Sequence, residues 1–188
     1  MKKFRIPFTL ILFLSVSAFA QKQIARVPVS LPVDSATKLI TYEAVTEAPG
    51  LKADALYKKA LSWFNSYYKN PSEVIRENDS LKFKIVGKPR IRLSNPPDKD
   101  GTKTDGGLVQ YTITFAAKDG RFKYELTSFN WKQTSYYACE RWMDTKSQSY
   151  NPVYSDYMVQ VDDYVKDLVK NLKSALLNDK PVKDKDKW

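Results

Sequence analysis

Two alternating runs joined by a tight turn constrain this chain more than any other feature. Val109, Tyr111, Ile113 and Phe115 alternate with Gln110, Thr112 and Thr114; after Lys118-Asp119-Gly120, Phe122, Tyr124 and Leu126 alternate with Lys123 and Glu125. A period of two with aromatic and β-branched residues on one side marks half-buried strands, and Asp-Gly between two such runs marks a hairpin. A lone hairpin cannot hide its apolar face from water, so further strands or helices must cover it.

The rest of the chain supplies both. Leu39 to Thr46 is rich in β-branched and aromatic residues and stops at Pro49-Gly50, which predicts the first strand. From Ala53 to Tyr68, apolar positions at Leu56, Tyr57, Ala60, Leu61, Phe64, Tyr67 and Tyr68 oppose Lys58, Lys59, Ser62, Asn65 and Ser66, predicting a helix that Asn70-Pro71 ends. Short strands follow at 73–77 and 81–86, with Val74, Phe83 and Ile85 as core candidates. Ile91 and Leu93 then alternate with Arg90 and Arg92, which implies one dry sheet face and one wet, basic face. A polar loop takes Ser94 to Gly107, and Phe129 to Tyr157 shows no clean period. Val161, Tyr164, Val165, Leu168, Leu172, Ala175 and Leu176 place a second long helix over 157–177. Residues 39–177 are thus expected to form an α+β, two-layer domain: an antiparallel sheet of about five strands with two helices on one face, in the order β-α-β4-α.

Lys2, Lys3 and Arg5 precede an apolar run from Phe8 to Val16, followed by Ala18-Phe19-Ala20. This is the layout of a secretory signal peptide over residues 1–20, cleaved before Gln21. The run is short for a membrane span. The mature chain is therefore expected to be exported, periplasmic or extracellular, without a transmembrane segment. Residues 21–38, with Pro28 and Pro32, read as an extended arm, and 178–188, alternating Lys and Asp around Pro181, as a charged tail.

Export changes how the charge is read. With 31 Lys and Arg against 21 Asp and Glu, the net charge is +10. In a cytoplasmic protein that excess would suggest nucleic acid. Outside the cytoplasm nucleic acid is not expected; acidic glycans, anionic lipid headgroups or a peptidic partner suit a basic surface better, and the partner is expected to be an envelope protein, a glycan or a small ligand. Cys139 is the only cysteine, so no disulfide forms within the chain. It reads as a small buried apolar residue, with pairing between chains as the alternative.

Histidine is absent, which removes Ser-His-Asp and Cys-His nucleophile systems and the commonest zinc sites. A carboxylate pair needs no histidine, yet nothing in the spacing of Glu125, Glu140, Asp144 and Asp156 selects one. No enzymatic activity, catalytic residue or cofactor is expected. Asp98-Lys99-Asp100-Gly101, with Asp105 beyond, looks like part of a calcium loop, but the remaining ligands are missing. Asp and Gly are also what a turn demands, so no metal is expected there.

The segment that periodicity leaves unexplained carries Trp131, Tyr137, Arg141 and Trp142 within twelve residues, with Tyr136 and Tyr150 nearby. Large aromatics with polar tips, interleaved with arginine, are favoured binding anchors. These four are the candidate binding residues, and at least two are expected to be exposed and adjacent. The competing view packs them over one end of the sheet as a satellite cluster. The functional reading is a non-enzymatic, exported binding or assembly module of the cell envelope. One rival is a carrier of a small apolar ligand, with a cavity between sheet and last helix lined by Tyr67, Tyr111, Phe115, Tyr124 and Tyr164. Another is a carboxylate enzyme acting on glycans.

Leu31-Pro32-Val33-Asp34 before the first strand, Leu56-Tyr57-Lys58-Lys59-Ala60-Leu61 in the first helix and the Lys118-Asp119-Gly120-Arg121 hairpin together carry a family resemblance. The chain resembles, from Leu31 to Leu126 and into the last helix, a bacterial family of exported proteins described as a domain of unknown function with a TBP-like fold. The resemblance implies that sheet-and-helix architecture and no catalytic residues. TBP is the TATA-binding protein, but a fold name does not carry DNA binding with it.

Overall fold

In the computed structural model, which describes residues 30–178, the chain runs β1 (Tyr42–Glu47), α1 (Ala53–Tyr67), a one-turn helix α2 (Pro71–Val74), β2 (Ile75–Asp79), β3 (Lys84–Gly87), β4 (Arg90–Ser94), β5 (Asp105–Lys118), β6 (Arg121–Lys132), β7 (Tyr136–Ala138), a 3-10 turn (Cys139–Met143) and α3 (Val153–Leu177). The expected signal peptide over 1–20, the first half of the arm (21–29) and all of the tail but Asn178 lie outside the described residues.

The β5–β6 hairpin is the spine of one antiparallel sheet ordered β1-β6-β5-β3-β2, with β4 also on β5 and β7 also on β6. There are seven strands rather than about five, and the difference has a physical origin. Lys84↔Ala116 to Gly87↔Ile113 and Arg90↔Gln110 to Leu93↔Gly107 lie along the same edge of β5, so β3 and β4 are one ribbon. It breaks at Lys88-Pro89, where proline has no N–H to give the ladder. On the other side β1 pairs with Arg121–Leu126 and β7 with Asn130–Lys132, again along one edge.

The predicted alternation sets the dry face: Val109, Tyr111, Ile113, Phe115 and Ala117 on β5, with Phe122, Tyr124 and Leu126 on β6, are buried. The two helices cover it. On α1 the buried stripe is Ala53, Leu56, Tyr57, Ala60, Trp63 and Phe64. Trp63, absent from the expected face, is fully buried, whereas Leu61 is only half-buried. A strict i, i+3, i+4, i+7 reading from Leu56 selects Trp63. Its indole Nε1 donates to Asn171 Oδ1 at 2.7 Å, tying α1 to α3. No side chain of Lys52 caps α1; instead Asp119, in the hairpin turn, accepts the Ala53 N–H at 2.9 Å. That bond holds the Asp119 carboxyl below its ordinary range. Asp119→Ala should therefore lower the melting temperature, and the difference should shrink as acid protonates the wild-type carboxylate.

The wet face is not basic as expected. Glu43 meets Lys123 at 2.6 Å, Glu77 meets Lys84 at 3.1 Å and Asp105 meets Arg92 at 2.6 Å, so cations and carboxylates alternate across it. Such exposed pairs add little stability but neutralise the surface. The end of the arm also differs from the expected extended form: Asp34 Oδ1 accepts the N–H groups of Ala36 and Thr37, and Val33 bridges back to Ile40.

Of the residues expected to line a carrier cavity between sheet and last helix, Tyr124 borders a concavity where α3 passes the sheet edge, whereas Tyr111 and Phe115 belong to the packed core. Tyr111 and Phe115 are fully buried, and the Tyr111 hydroxyl lies 3.4 Å from that of Tyr68 and donates to Tyr164 at 3.3 Å. Burial first, then neighbouring phenols, hold Tyr68 and Tyr111 well above the ordinary phenol range; burial raises Tyr67 and Tyr164 as well. Above pH of about 10 the unfolded chain gives up these protons while the native state keeps them. Native binding of more protons means that stability falls as pH rises through that point. In an alkaline titration, tyrosinate absorbance from this set should appear together with loss of circular dichroism. Ionisation near pH 10 with the fold intact would show that the hydroxyls are not held this way.

Candidate functional site

The segment that sequence periodicity leaves unexplained begins at a bulge within β6. Gln110 opposes Asn130 and Thr112 opposes Thr127, so Ser128 and Phe129 together face Tyr111, and Ser128 takes a φ of 56°. Two residues against one reverse the parity of the strand. Phe122, Tyr124 and Leu126 point into the dry layer before the bulge; Phe129 does so after it, with Trp131 two residues on. Without the bulge Trp131 would face the solvent side.

From Trp131 the chain turns back through β7, which sets Tyr137 directly opposite Trp131. The 3-10 turn then places Cys139 and Trp142, three residues apart, on its inner side and Arg141 on its outer side. Glu140 Oε1 accepts the Ile40 N–H at 2.7 Å and anchors the turn to the segment just before β1. Two glycines make room for the rings. A Cβ on Gly106 would come within 2.9 Å of Tyr157, and one on Gly107, where φ is 93°, within 2.9 Å of the Trp131 indole nitrogen. The Trp131 Nε1–H donates to the Gly106 carbonyl at 2.9 Å.

Trp142 is 2 % exposed, which corrects its expected role as a surface anchor. It stacks on Tyr154 with centroids 5.9 Å apart and meets Trp131 edge-on at the same distance, with Tyr157 at 5.6 Å. Both sequence expectations hold a part of the geometry: Trp131 and Trp142 belong to a satellite aromatic cluster, while Tyr137 and Arg141 are exposed, the guanidinium lying 5.8 Å from the Tyr137 ring centroid. All four line one concavity of about 200 Å³, together with Ala138, Ser149 and Tyr154. Tyr154 and Ser149 escaped sequence reasoning because neither stands out in a helix start or a serine-rich loop. The spacing Tyr154-x-x-Tyr157, facing the Trp131 region, was the available signal.

The pocket offers donors. Arg141 and Tyr137, both exposed, bring a guanidinium and a phenol to a lining made largely of aromatic rings. A group bearing oxygen acceptors on a flat or compact body is what such a lining fits.

The other candidates are accounted for locally. Asp98 Oδ1 accepts the N–H groups of Asp100 and Thr102, and Asp105 pairs with Arg92 and accepts the Gly107 N–H. Among the described residues no cluster of three His, Cys, Asp or Glu is placed to hold a metal. Cys139 is buried as a free thiol, and burial raises it far above the ordinary thiol range. Iodoacetamide should leave it unmodified in the native protein and label it in denaturant; rapid native labelling would show a solvent-open thiol. Among the described residues no helix is long and apolar enough to cross a membrane.

Comparison with known proteins places this architecture. The family model described as a domain of unknown function, DUF4468, with TBP-like fold matches residues 42–132. A TBP-like protein from Parabacteroides distasonis superposes with a TM-score of 0.62 at 14% identity, covering 78% of this chain and 97% of its own. A DUF4468 family protein from Bacteroides ovatus gives 0.63 at 18% identity, with coverages of 84% and 94%. No curated protein matches the chain. At these identities the likeness shows the fold.

Proposed function

We propose that this chain, a member of the DUF4468 family with a TBP-like fold, is a non-enzymatic, exported binding module of the bacterial cell envelope, and that it holds one residue of a larger partner in the aromatic pocket. The observation that carries this reading is that Trp131, Tyr137, Arg141 and Trp142, separated by a hairpin and a 3-10 turn, converge on one pocket. Size favours a partner's side chain or single sugar over a free ligand: about 200 Å³ falls short of the roughly 300–1,000 Å³ of small-molecule sites. Buried aromatic walls with an exposed Tyr-Arg pair at the rim match the make-up of binding hot spots. The charged start, apolar run and Ala18-Phe19-Ala20 of the sequence support export.

Tyr137→Ala and Arg141→Ala test it. Both residues are exposed, so each substitution should change stability by no more than about 0.5 kcal/mol. Co-purification from native envelope fractions, read by quantitative mass spectrometry, should show one partner lost from the double variant, with affinity reduced by about 2 kcal/mol, or roughly thirtyfold. Recovery of the same partners by wild type and double variant would remove this pocket from the function.

A further inference from the structure

A second and larger concavity lies away from the aromatic pocket, along the outer edge of β1 where α3 passes it, and has a volume of about 590 Å³. Its floor is apolar: Tyr42 and Tyr124 from the sheet, Val165 and Val169 from the helix. Its rim is cationic, because Lys166, Lys170 and Lys173 recur at i, i+4 and i+7 along the same stripe of α3. The sequence Val165-Lys166-x-x-Val169-Lys170-x-x-Lys173 therefore writes both halves of the groove on one helix face.

The carboxylates within reach leave this rim a net positive charge. Asp162 accepts Lys166 at 2.6 Å and the Tyr42 hydroxyl at 3.0 Å, which closes one end of the groove and pins β1 to α3. Glu43 is held at 2.6 Å by Lys123 across the sheet. Lys173 sits 5.4 Å from the Tyr124 ring centroid, and neither it nor Lys170 is ion-paired among the described residues. Lys170 is exposed and Val169 half-buried, and both line the groove, so the charge borders the apolar floor.

We infer that this groove binds a single-chain anionic amphiphile, with the alkyl chain along Tyr42, Tyr124, Val165 and Val169 and the headgroup at Lys170 and Lys173. Its volume lies within the range of small-molecule sites, unlike that of the aromatic pocket. An apolar trough gives affinity without direction; two unpaired ammonium groups on one rim select the sign and end of the ligand. A carboxylate or a phosphate headgroup satisfies the same chemistry.

Calorimetric titration of the full chain with dodecanoate and with dodecyl phosphate, each below its micelle concentration, tests this. One-to-one binding that weakens with added salt is expected for at least one of them; the tighter of the two indicates fatty acids or phospholipid-type ligands as the source. Dodecyltrimethylammonium should bind at least about tenfold more weakly, and Lys170→Glu with Lys173→Glu should cost the anions at least about tenfold. Val169→Asp should abolish binding. Lys146→Glu, exposed on the loop after the 3-10 turn, should leave it unchanged. Circular dichroism melts confirm that each variant is folded. Equal affinity for the cationic amphiphile, no effect of the double charge reversal, or no binding of either anion by the folded protein would overturn the inference. So would a groove that takes an acidic peptide but neither anion.

Discussion

Trp142→Ala is expected to destabilise the protein by about 3–5 kcal/mol, the range for deleting a large aromatic side chain from a packed site. The ring is 2 % exposed and is enclosed by Trp131, Tyr154 and Tyr157. These side chains come from a strand end and a helix start, which are fixed to the sheet and cannot collapse far into the gap. The cost should therefore sit towards the upper part of the range. Free indole should recover part of the lost melting temperature, since a ligand that fills the hole binds only the native state. Chemical denaturation gives the number. A loss under 1 kcal/mol would mean that Trp142 is not a structural wall of the pocket, and the reading of this cluster would fail with it.

The contrast with Tyr137 and Arg141 separates the two roles that the sequence could not. Four residues of similar chemistry within twelve positions read alike as anchors. What divides Trp142 from Arg141 is the 3-10 turn, whose three-residue period turns Cys139 and Trp142 inward and Arg141 outward. No periodicity of a helix or strand predicts that.

Other parts of the fold were legible for reasons that are equally particular. Val109 to Leu126 alternated cleanly because one face of the hairpin is wholly dry, and the Asp-Gly turn fixed the register; Lys118 pairs with Arg121 as two-residue turns require, with Gly120 at a φ of 74°. Leu168, Leu172 and Leu176 placed α3. The alternation vanished at Thr127-Ser128 because a bulge changes which residues count as inward, so the second half of β6 read as irregular. β7 was hidden for a different reason: it is three residues long and is ordered by its pairing with Asn130, Trp131 and Lys132. The groove beside α3 needed tertiary structure: Val165 announced a core face and Lys166 a solvated one, but the edge strand that makes them walls of one trough lies over a hundred positions earlier in the chain.

Trp63 is the second position where a large effect is expected, and here the consequence is for the union of the two helices. It is fully buried between α1 and α3, stacked on Tyr67 with centroids 4.6 Å apart and edge-on to Phe64 at 5.1 Å. Trp63→Ala should cost about 3–5 kcal/mol through the cavity alone. It also strands the Asn171 carbonyl, which now accepts the indole N–H and is only partly reachable by water. An unmet polar group of that kind adds about 1–3 kcal/mol. The two terms can be told apart. Trp63→Phe keeps most of the packing and loses the donor, so it should cost less than Trp63→Ala; Asn171→Leu loses the acceptor and strands the donor instead. Combining Trp63→Phe with Asn171→Leu removes both partners, so the double variant should be more stable than the sum of single losses predicts, by about 0.5–3 kcal/mol. Strict additivity would show that the hydrogen bond contributes nothing across this interface, and that the helices are joined by apolar packing alone.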